Sequence, residues 1–283
     1  MTEPPLPFRW DLTLPDRLET LPSDDGGPPP WADAITACAA KVLARAGDGD
    51  LCFVGRSADS VHDLLAGALR ETSWSGRLRR LPVSLGRYRH SEEHERRRLR
   101  EIMAARLPAP ADMARGRDLC FVDIVAEGGT FGDLHTALDQ WITDERANVP
   151  VIRRKLRFLG LTVERHTSPN TWRWWQHAAW ARKLPASAIV NVSIDGHLFH
   201  HLGGGQPKTN PSHQVTGWWD ETVTTPPRDE NSWKGLGLAV RYTEHGALAP
   251  TRAALARGIE AEPAVREAWA RGLARELRGR VNR

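Results

Sequence analysis

The stretch LCFVDIVAEGGTFGDLHTAL, residues 119–138, decides the fold expected for this chain. An apolar run that ends near a single acid, Asp123, is followed by a Glu-Gly-Gly-Thr loop and an amphipathic pattern typical of a helix. The first turn of a helix has unpaired N–H groups and a positive dipole end, so the backbone of Gly128 to Phe131 can face an anion. Asp123 falls at the carboxyl end of the strand, where open α/β sheets bind ligands. The stretch therefore predicts a site for a phosphorylated sugar, with Asp123 holding a hydroxyl group.

Apolar strands and amphipathic helices alternate on the amino-terminal side of this stretch. The patterns predict a helix from Trp31, strands over 51–55, 81–85 and 118–125, and helices over 59–71, 90–107 and after the loop at 127–130. This order predicts an α/β fold for residues 31–150, with a mainly parallel sheet and helices on both faces.

The flanking regions are less regular. Residues 1–30 are proline-rich and predict an irregular arm. Beyond position 150 the patterns indicate helices over 151–159 and 171–183, strands over 161–166 and 188–194, a long loop or lid over 203–231, and two helices within 250–280. This α+β extension, residues 151–283, either completes the same sheet or forms an acceptor or lid subdomain.

Composition excludes several classes of protein. Of the 283 residues 40% are apolar, which suffices for a core, yet no apolar run approaches the roughly 18 residues of a membrane span. The start, MTEPPLPF, lacks the features of a signal peptide, and the three cysteines show no C-x-x-C spacing, so we expect buried thiols in a reducing cytoplasm. The net charge is +4, but the arginines are spread along the chain, which argues against nucleic acid as a partner.

Two segments resemble the type I phosphoribosyltransferase family. FVGRSADSVHDLLAGAL, residues 53–69, is similar to the family's pyrophosphate loop, and FVDIVAEGGTFGDL, residues 121–134, is similar to its phosphoribosyl pyrophosphate motif. The resemblance covers about residues 31–145. It implies a phosphoribosyltransferase-like fold and transfer of the 5-phosphoribosyl group from phosphoribosyl pyrophosphate to a small-molecule acceptor. It further implies Mg²⁺ bound through the substrate's diphosphate, and a homodimer is compatible with it.

The resemblance also implies roles for particular residues. Asp123 would hold the ribose hydroxyls as a catalytic residue, with Glu127 as the second, and the 5′-phosphate would meet Gly128, Gly129, Thr130 and Phe131. The pyrophosphate would be cradled by Gly55, Arg56, Ser57 and Ala58, and would be within reach of Arg87 and Arg89. The alternatives are a helix entry without a ligand at 127–131, a turn capped by Ser57 or Asp59 before the helix at 59–71, and solvent-exposed arginines at 87 and 89.

The chain departs from the family pattern at one point. The family usually has two adjacent acids, whereas Asp123 is flanked by Val122 and Ile124. Either Glu127 partly substitutes from the loop, or catalysis is weakened or absent. A second hypothesis is therefore a non-catalytic phosphoribosyltransferase-like protein that senses a phosphorylated ligand. A third, another doubly wound nucleotide enzyme, lacks a G-x-G-x-x-G or P-loop motif here.

The catalytic base and the acceptor site remain open at this stage. A proton could be taken from the acceptor by one of four histidines, and metal binding by them is disfavoured because no cysteine pair accompanies them: His197, His200, His201 and His213. The tryptophans within 168–183 either pack in the core or form an aromatic wall for the acceptor. Lys208, Trp218 and Trp219 fall in the segment predicted to be a cover that excludes water.

Overall fold

Five parallel strands form the sheet in the part of the chain that the structure describes. The computed structural model describes residues 27–85, 88, 91–164, 173–176, 178–209 and 229–279. The strands are β1 (Asp50–Val54), β2 (Leu78–Leu81), β3 (Leu119–Ile124), β4 (Leu156–Val163) and β5 (Ile189–Ile194), in the spatial order β2-β1-β3-β4-β5. Each neighbouring pair is parallel. The predicted α/β class with a parallel sheet is confirmed, and β4 and β5 extend the sheet built by the first half of the chain.

Helices connect and cover the strands. They are α1 (Ala32–Ala46), α2 (Asp59–Leu69), α3 (Glu93–Arg106), α4 (Pro110–Arg115), α5 (Gly129–Asp144), α6 (Val149–Lys155), α7 (Gly196–His200), α8 (Glu230–Ala247), α9 (Ala249–Glu260) and α10 (Ala268–Leu277). Short 3₁₀ turns span Ala181–Lys183, Ala186–Ala188 and Pro263–Arg266, and a π-helical turn spans His201–Gly205.

Two apolar cores lie on opposite faces of the sheet, as the alternation of side chains along a strand requires. On β3, Cys120 and Val122 belong to the core that includes α1, α2, α9 and α10, whereas Leu119 and Phe121 belong to the core that includes α3 and α5. Strands buried on both faces read as continuous apolar runs, which explains the sequence LCFV in β3. The predicted helices on both faces are confirmed.

The direction in which successive strands are added to the sheet reverses between β1 and β3. The chain leaves β1 through α2 and returns on one side at β2, whereas it leaves β3 through α5 and α6 and returns on the other side at β4. The loops after β1 and β3 therefore diverge at the carboxyl ends of two adjacent strands. This arrangement leaves a crevice of the kind in which open α/β sheets bind ligands.

Helix α8 had no counterpart in the predicted elements, yet it packs closely against α2. A Cβ atom at Gly67 would overlap the carbonyl oxygen of Thr243, and one at Gly246 would overlap the carbonyl oxygen of Leu64. The two glycines thus let the helix backbones approach each other, which places the start of α8 near the crevice.

Several predicted element boundaries were wrong. Strand β2 occupies Leu78–Leu81 rather than 81–85, because Arg79 and Arg80 pair with β1 while Val83 and Leu85 continue into the core beyond the strand. Residues 156–159, predicted as helix, belong to β4, because pairing with β3 along its whole length overrides the local helical pattern. The described part of 171–183 forms turns and a 3₁₀ segment instead of one helix. Residues 1–26 and 210–228 lie outside the described residues.

Candidate functional site

The loop after β1 turns sharply at a glycine. Gly55 has a φ of 67°, a conformation that favours glycine, and its N–H donates a 2.8 Å hydrogen bond to the carbonyl oxygen of Leu81. Arg56 and Ser57 are partly exposed, and Ala58 is the N-cap residue of α2, with no side chain capping the helix. The alternative in which Ser57 or Asp59 caps α2 is therefore wrong. No side chain caps the first turn of α2, which is the kind of helix end at which an anion can bind.

The loop after β3 also turns at a glycine in the left-handed conformation. Gly128, the N-cap residue of α5, has a φ of 80°, and a Cβ atom there would lie 2.5 Å from Cε3 of Trp174. Trp174 is 1% exposed and covers this side of the loop. The next residue, Gly129, is exposed, and a Cβ atom there would meet nothing within 4 Å. The beginning of α5 is thus covered on one side and open on the other.

The remaining residues of this loop differ in what they can offer a ligand. Glu127 is exposed and Thr130 is partly buried, so both side chains can meet a solute. Phe131 is fully buried, with its ring 5.4 Å from that of Phe158 and 5.7 Å from that of Trp174. Only the backbone N–H of Phe131 can therefore contribute to a site.

Asp123 lies at the end of β3 between the two loops. Its side chain is 6% exposed, and the backbone N–H of Ile124 donates a 2.7 Å hydrogen bond to its Oδ1. Burial raises the pKa of Asp123 to about 8, although this hydrogen bond and the nearby charge of Lys208 both act to lower it. A carboxyl group so strongly perturbed at the ligand-binding edge of a sheet is characteristic of a functional site.

Lys208 reaches the same crevice from the segment after the π-helical turn. It is 5% exposed, and its Nζ donates hydrogen bonds to the backbone carbonyl oxygens of Ser57, at 3.1 Å, and Leu202, at 2.8 Å. Burial lowers the pKa of Lys208, whereas the neighbouring carboxylates of Asp59, Asp63 and Asp123 act to raise it. The sequence pattern placed Lys208 in a cover, and the structure places it in contact with the first loop.

Several groups of opposite charge lie close together around the first loop. Arg80 on β2 forms ion pairs with Asp59 and with Asp63, the latter at 3.6 Å. Burial lowers the pKa of Arg56, and the nearby Asp59 raises it. With Lys208, the group comprises three basic side chains and the two carboxylates of Asp59 and Asp63, whereas the raised pKa of Asp123 leaves that group mainly protonated near pH 7. A diphosphate entering this region would therefore need further positive charge, which a divalent cation carried on the diphosphate can supply.

The histidines predicted as candidate bases differ in their exposure to solvent. His197 and His200 on α7 are exposed, whereas His201 is partly buried and its Nε2 has no hydrogen-bond partner among the described residues. Burial and the nearby Lys208 lower the pKa of His201. Arg87, Arg89 and His213 lie outside the described residues.

Metal sites and membrane spans were sought in the described part of the chain. No group of three or more histidine, cysteine, aspartate or glutamate side chains there could hold a metal ion. No helix in these ranges is both long enough and apolar enough to cross a bilayer. Cys38, Cys52 and Cys120 are buried free thiols.

The chain matches no protein-family model, no curated protein and no solved structure.

Proposed function

We propose that this chain binds phosphoribosyl pyrophosphate in the crevice between β1 and β3 and transfers its 5-phosphoribosyl group to a small-molecule acceptor. One observation carries the proposal: the two segments that resemble phosphate-binding motifs follow adjacent parallel strands at the point where the connections diverge. The buried Asp123 lies between them. This is the place where ligands bind in sheets of this kind.

Each part of the substrate has a matching group. The amides of Arg56, Ser57 and Ala58, together with the side chains of Arg56 and Lys208, suit the pyrophosphate. The N–H of Gly55 does not, because it donates to the carbonyl oxygen of Leu81. Asp123 suits the ribose hydroxyls, and Thr130 and the amides that begin α5 suit the 5′-phosphate. Mg²⁺ bound by the diphosphate would offset the negative charge that the small positive excess of the protein groups leaves uncompensated.

The proposed reaction breaks the bond between C1 of the ribose and the pyrophosphate oxygen. A nucleophilic atom of the acceptor forms a new bond to C1, pyrophosphate leaves with the electron pair of the broken bond, and the acceptor releases a proton. His201, whose buried Nε2 has no hydrogen-bond partner among the described residues, is the base that takes this proton.

A non-catalytic role is the second candidate. Val122 and Ile124 flank Asp123, so β3 supplies one acid where the resembling family usually has two. Trp174 also fills the space beside Gly128. Both observations favour a protein that binds a phosphorylated ligand as a signal without transferring the sugar.

Titration with phosphoribosyl pyrophosphate in the presence of Mg²⁺ tests the proposal, with ribose 5-phosphate and inorganic pyrophosphate as partial ligands. We expect saturable binding by calorimetry and a raised melting temperature, with each partial ligand binding more weakly. Release of pyrophosphate on addition of candidate acceptors would support transfer, whereas binding without release from any acceptor would support the sensor. If the complete ligand produces neither heat nor a melting shift, both candidates are wrong.

A further inference from the structure

Trp31, at the beginning of α1, has a strained backbone conformation and an exposed side chain. It is the N-cap residue of the helix, with a φ of 60° and a ψ of 21°, in the left-handed region that favours glycine. It is 44% exposed, so it gains less from burial than a tryptophan in the core. A bulky residue persists in such a conformation only where its surroundings hold it, and residues of this kind cluster at functional sites.

Helix α8 holds the strap, which we define as residues 27–31. Nη2 of Arg241 donates hydrogen bonds to two carbonyl oxygens of the strap, at 2.9 and 3.0 Å. The hydroxyl group of Tyr242, which is buried, donates a hydrogen bond to the carbonyl oxygen of Pro30. Three of the five strap residues are prolines, whose fixed φ leaves the segment few alternative conformations. These contacts determine where Trp31, the last residue of the strap, lies.

The ring of Trp31 packs against the imidazole of His201. The ring centroids are 5.9 Å apart at an interplanar angle of 36°, within the range of roughly 4.5–7 Å for paired aromatic rings. His201 begins the π-helical turn, shortly after the carboxyl end of β5. The contact therefore places Trp31 at the same edge of the sheet as the crevice.

The segment that begins with His201 carries two groups of the proposed site. The carbonyl oxygen of Leu202, the next residue, accepts a 2.8 Å hydrogen bond from Nζ of Lys208, which also donates to the loop after β1. Nε2 of His201 has no hydrogen-bond partner among the described residues, so no described residue opposes rotation of the ring through this atom. The orientation of the imidazole therefore depends in part on packing, and Trp31 supplies an aromatic surface for it.

Buried polar side chains connect the strap to the same segment by a second route. Oγ of Ser60 on α2 donates a 2.6 Å hydrogen bond to Oε1 of Gln206, which lies between the π-helical turn and Lys208. Burial raises the pKa of Tyr242, whereas a side-chain hydrogen bond with Ser60 acts to lower it. A satisfied network of this kind makes the groups that it joins more rigid. The segment that carries Lys208 is therefore held by Ser60 as well as by contacts with the strap.

We propose that Trp31 is a positioning residue for the candidate site: held on α8 by the strap, it packs against the His201 ring and fixes the orientation in which this base meets the acceptor. Trp31 acts through His201 and not on the substrate itself. The strained φ is retained because glycine, which fits it more easily, would offer the imidazole no ring to pack against. This role rests on the proposed function of His201, but the packing exists without any ligand.

NMR spectroscopy of the full chain without ligand tests the packing. Trp31→Gly removes the ring and suits the φ of 60°, whereas Trp31→Phe keeps a ring. We expect the imidazole signals of His201, assigned with His201→Gln, to lose the ring-current shift caused by Trp31 in the glycine variant and to keep most of it with phenylalanine. Burial and the charge of Lys208 lower the pKa of His201, so greater exposure of the ring in Trp31→Gly should raise this pKa towards the ordinary histidine value.

Transfer kinetics test the consequence for the site. With an acceptor that causes release of pyrophosphate, Trp31→Gly should lower kcat at least about fivefold, since small displacements of a catalytic group are costly in rate. The KM for phosphoribosyl pyrophosphate should change less than about twofold, because Ser60 still holds the segment that carries Lys208. Trp31→Phe should recover most of the lost kcat. Leu248→Ala, at another exposed large apolar side chain, is the matched control and should change neither kcat nor the His201 signals.

Two results would overturn the proposal, with circular dichroism used to check that each variant is folded. One is that the His201 signals and pKa are the same in Trp31→Gly and in the parent. The other is that the signals change while kcat stays within about twofold of the parent, because Trp31 would then only pack against His201. Should Trp31→Gly fail to fold, Trp31→Asn, which tolerates the same φ, takes its place.

Failure of the proposed function gives a different result. If the parent releases no pyrophosphate with any acceptor, the proposed transfer is wrong, whatever the variants show. The NMR comparison of Trp31→Gly, Trp31→Phe and the parent then decides by itself whether Trp31 orients His201.

Discussion

The Nζ of Lys208 donates a hydrogen bond to the carbonyl oxygen of Ser57, across 151 positions of sequence. The contact joins the segment after α7 to the loop after β1, and Gly235 on α8 closes over the other side of Lys208, where a Cβ atom would lie 2.5 Å from the Lys208 carbonyl oxygen. An ammonium group has three donors, and Ser57 and Leu202 accept from two of them, so we expect the third to serve a negative ligand.

Replacing Lys208 with methionine tests that role. Methionine keeps most of the buried stem but removes the charge, so we expect the affinity for pyrophosphate and for phosphoribosyl pyrophosphate to fall at least tenfold, which corresponds to about 1.4 kcal/mol. The affinity for ribose 5-phosphate should change by less than threefold. Lys234→Met, at an exposed lysine of α8, is the matched control. Equal losses for all three ligands would contradict contact with the pyrophosphate.

The raised pKa of Asp123 predicts a dependence of stability on pH. Between its ordinary value of 3.8 and about 8, the folded chain keeps a proton that the unfolded chain has released, so raising the pH across this window lowers the free energy of unfolding. Asparagine has a similar shape and does not titrate. We expect the stability of Asp123→Asn relative to the parent to increase by at least about 1 kcal/mol between pH 5 and pH 8, measured by urea unfolding.

The exposed carboxylate of Asp112 on α4 provides the control for this measurement. Its side chain is 65% exposed, so Asp112→Asn should show little such increase. A relative stability of Asp123→Asn that is flat from pH 5 to pH 8 would show that Asp123 is not a buried acid in solution. Independently of pH, Asp123→Asn should weaken binding of phosphoribosyl pyrophosphate if the carboxyl group holds the ribose.

Thr130→Val tests the loop that begins α5. Valine has nearly the same shape but no hydroxyl, and Thr130 is only partly buried, so the free energy of unfolding should change by less than about 1 kcal/mol. The affinity for ribose 5-phosphate should fall roughly three- to tenfold, the value of one lost hydrogen bond. Calorimetry with Thr136→Val, almost two helical turns further along α5, shows whether the effect is specific. Unchanged affinity in Thr130→Val would place the 5′-phosphate elsewhere.

The adjacent glycines of this loop should respond differently to alanine. At Gly128 alanine meets both a φ of 80° and the Trp174 ring, so we expect a loss of about 1–3 kcal/mol in the free energy of unfolding. At Gly129, in the first turn of α5, alanine meets nothing within 4 Å and should be neutral or stabilising by up to about 1 kcal/mol. Denaturant unfolding of the two variants measures the difference, and equal stabilities would show that Trp174 does not lie against Gly128.

Part of the fold could be predicted from the sequence, because in several elements the local apolar pattern agrees with the burial seen in the structure. Strands β1, β3 and β5 are apolar runs bounded by polar or glycine residues, and α1, α2 and α5 carry regular apolar stripes. Strand β2 could not be placed, because its LRRL sequence is less apolar than the neighbouring LPVSL. Its position depends on pairing with β1, which is a long-range interaction.

The candidate site, like the fold, could be predicted from the sequence only in part. Local sequence was enough to single out Asp123 and the two glycine turns, since a lone acid after an apolar strand and a glycine before a helix are patterns within a few residues. Lys208 and His201 acquire their environments only when distant segments meet: Lys208 against the β1–α2 loop, and His201 against Trp31. Burial and electrostatic environment depend on what surrounds a residue in space, so only the tertiary structure decided which of the basic and imidazole groups are buried and what surrounds them.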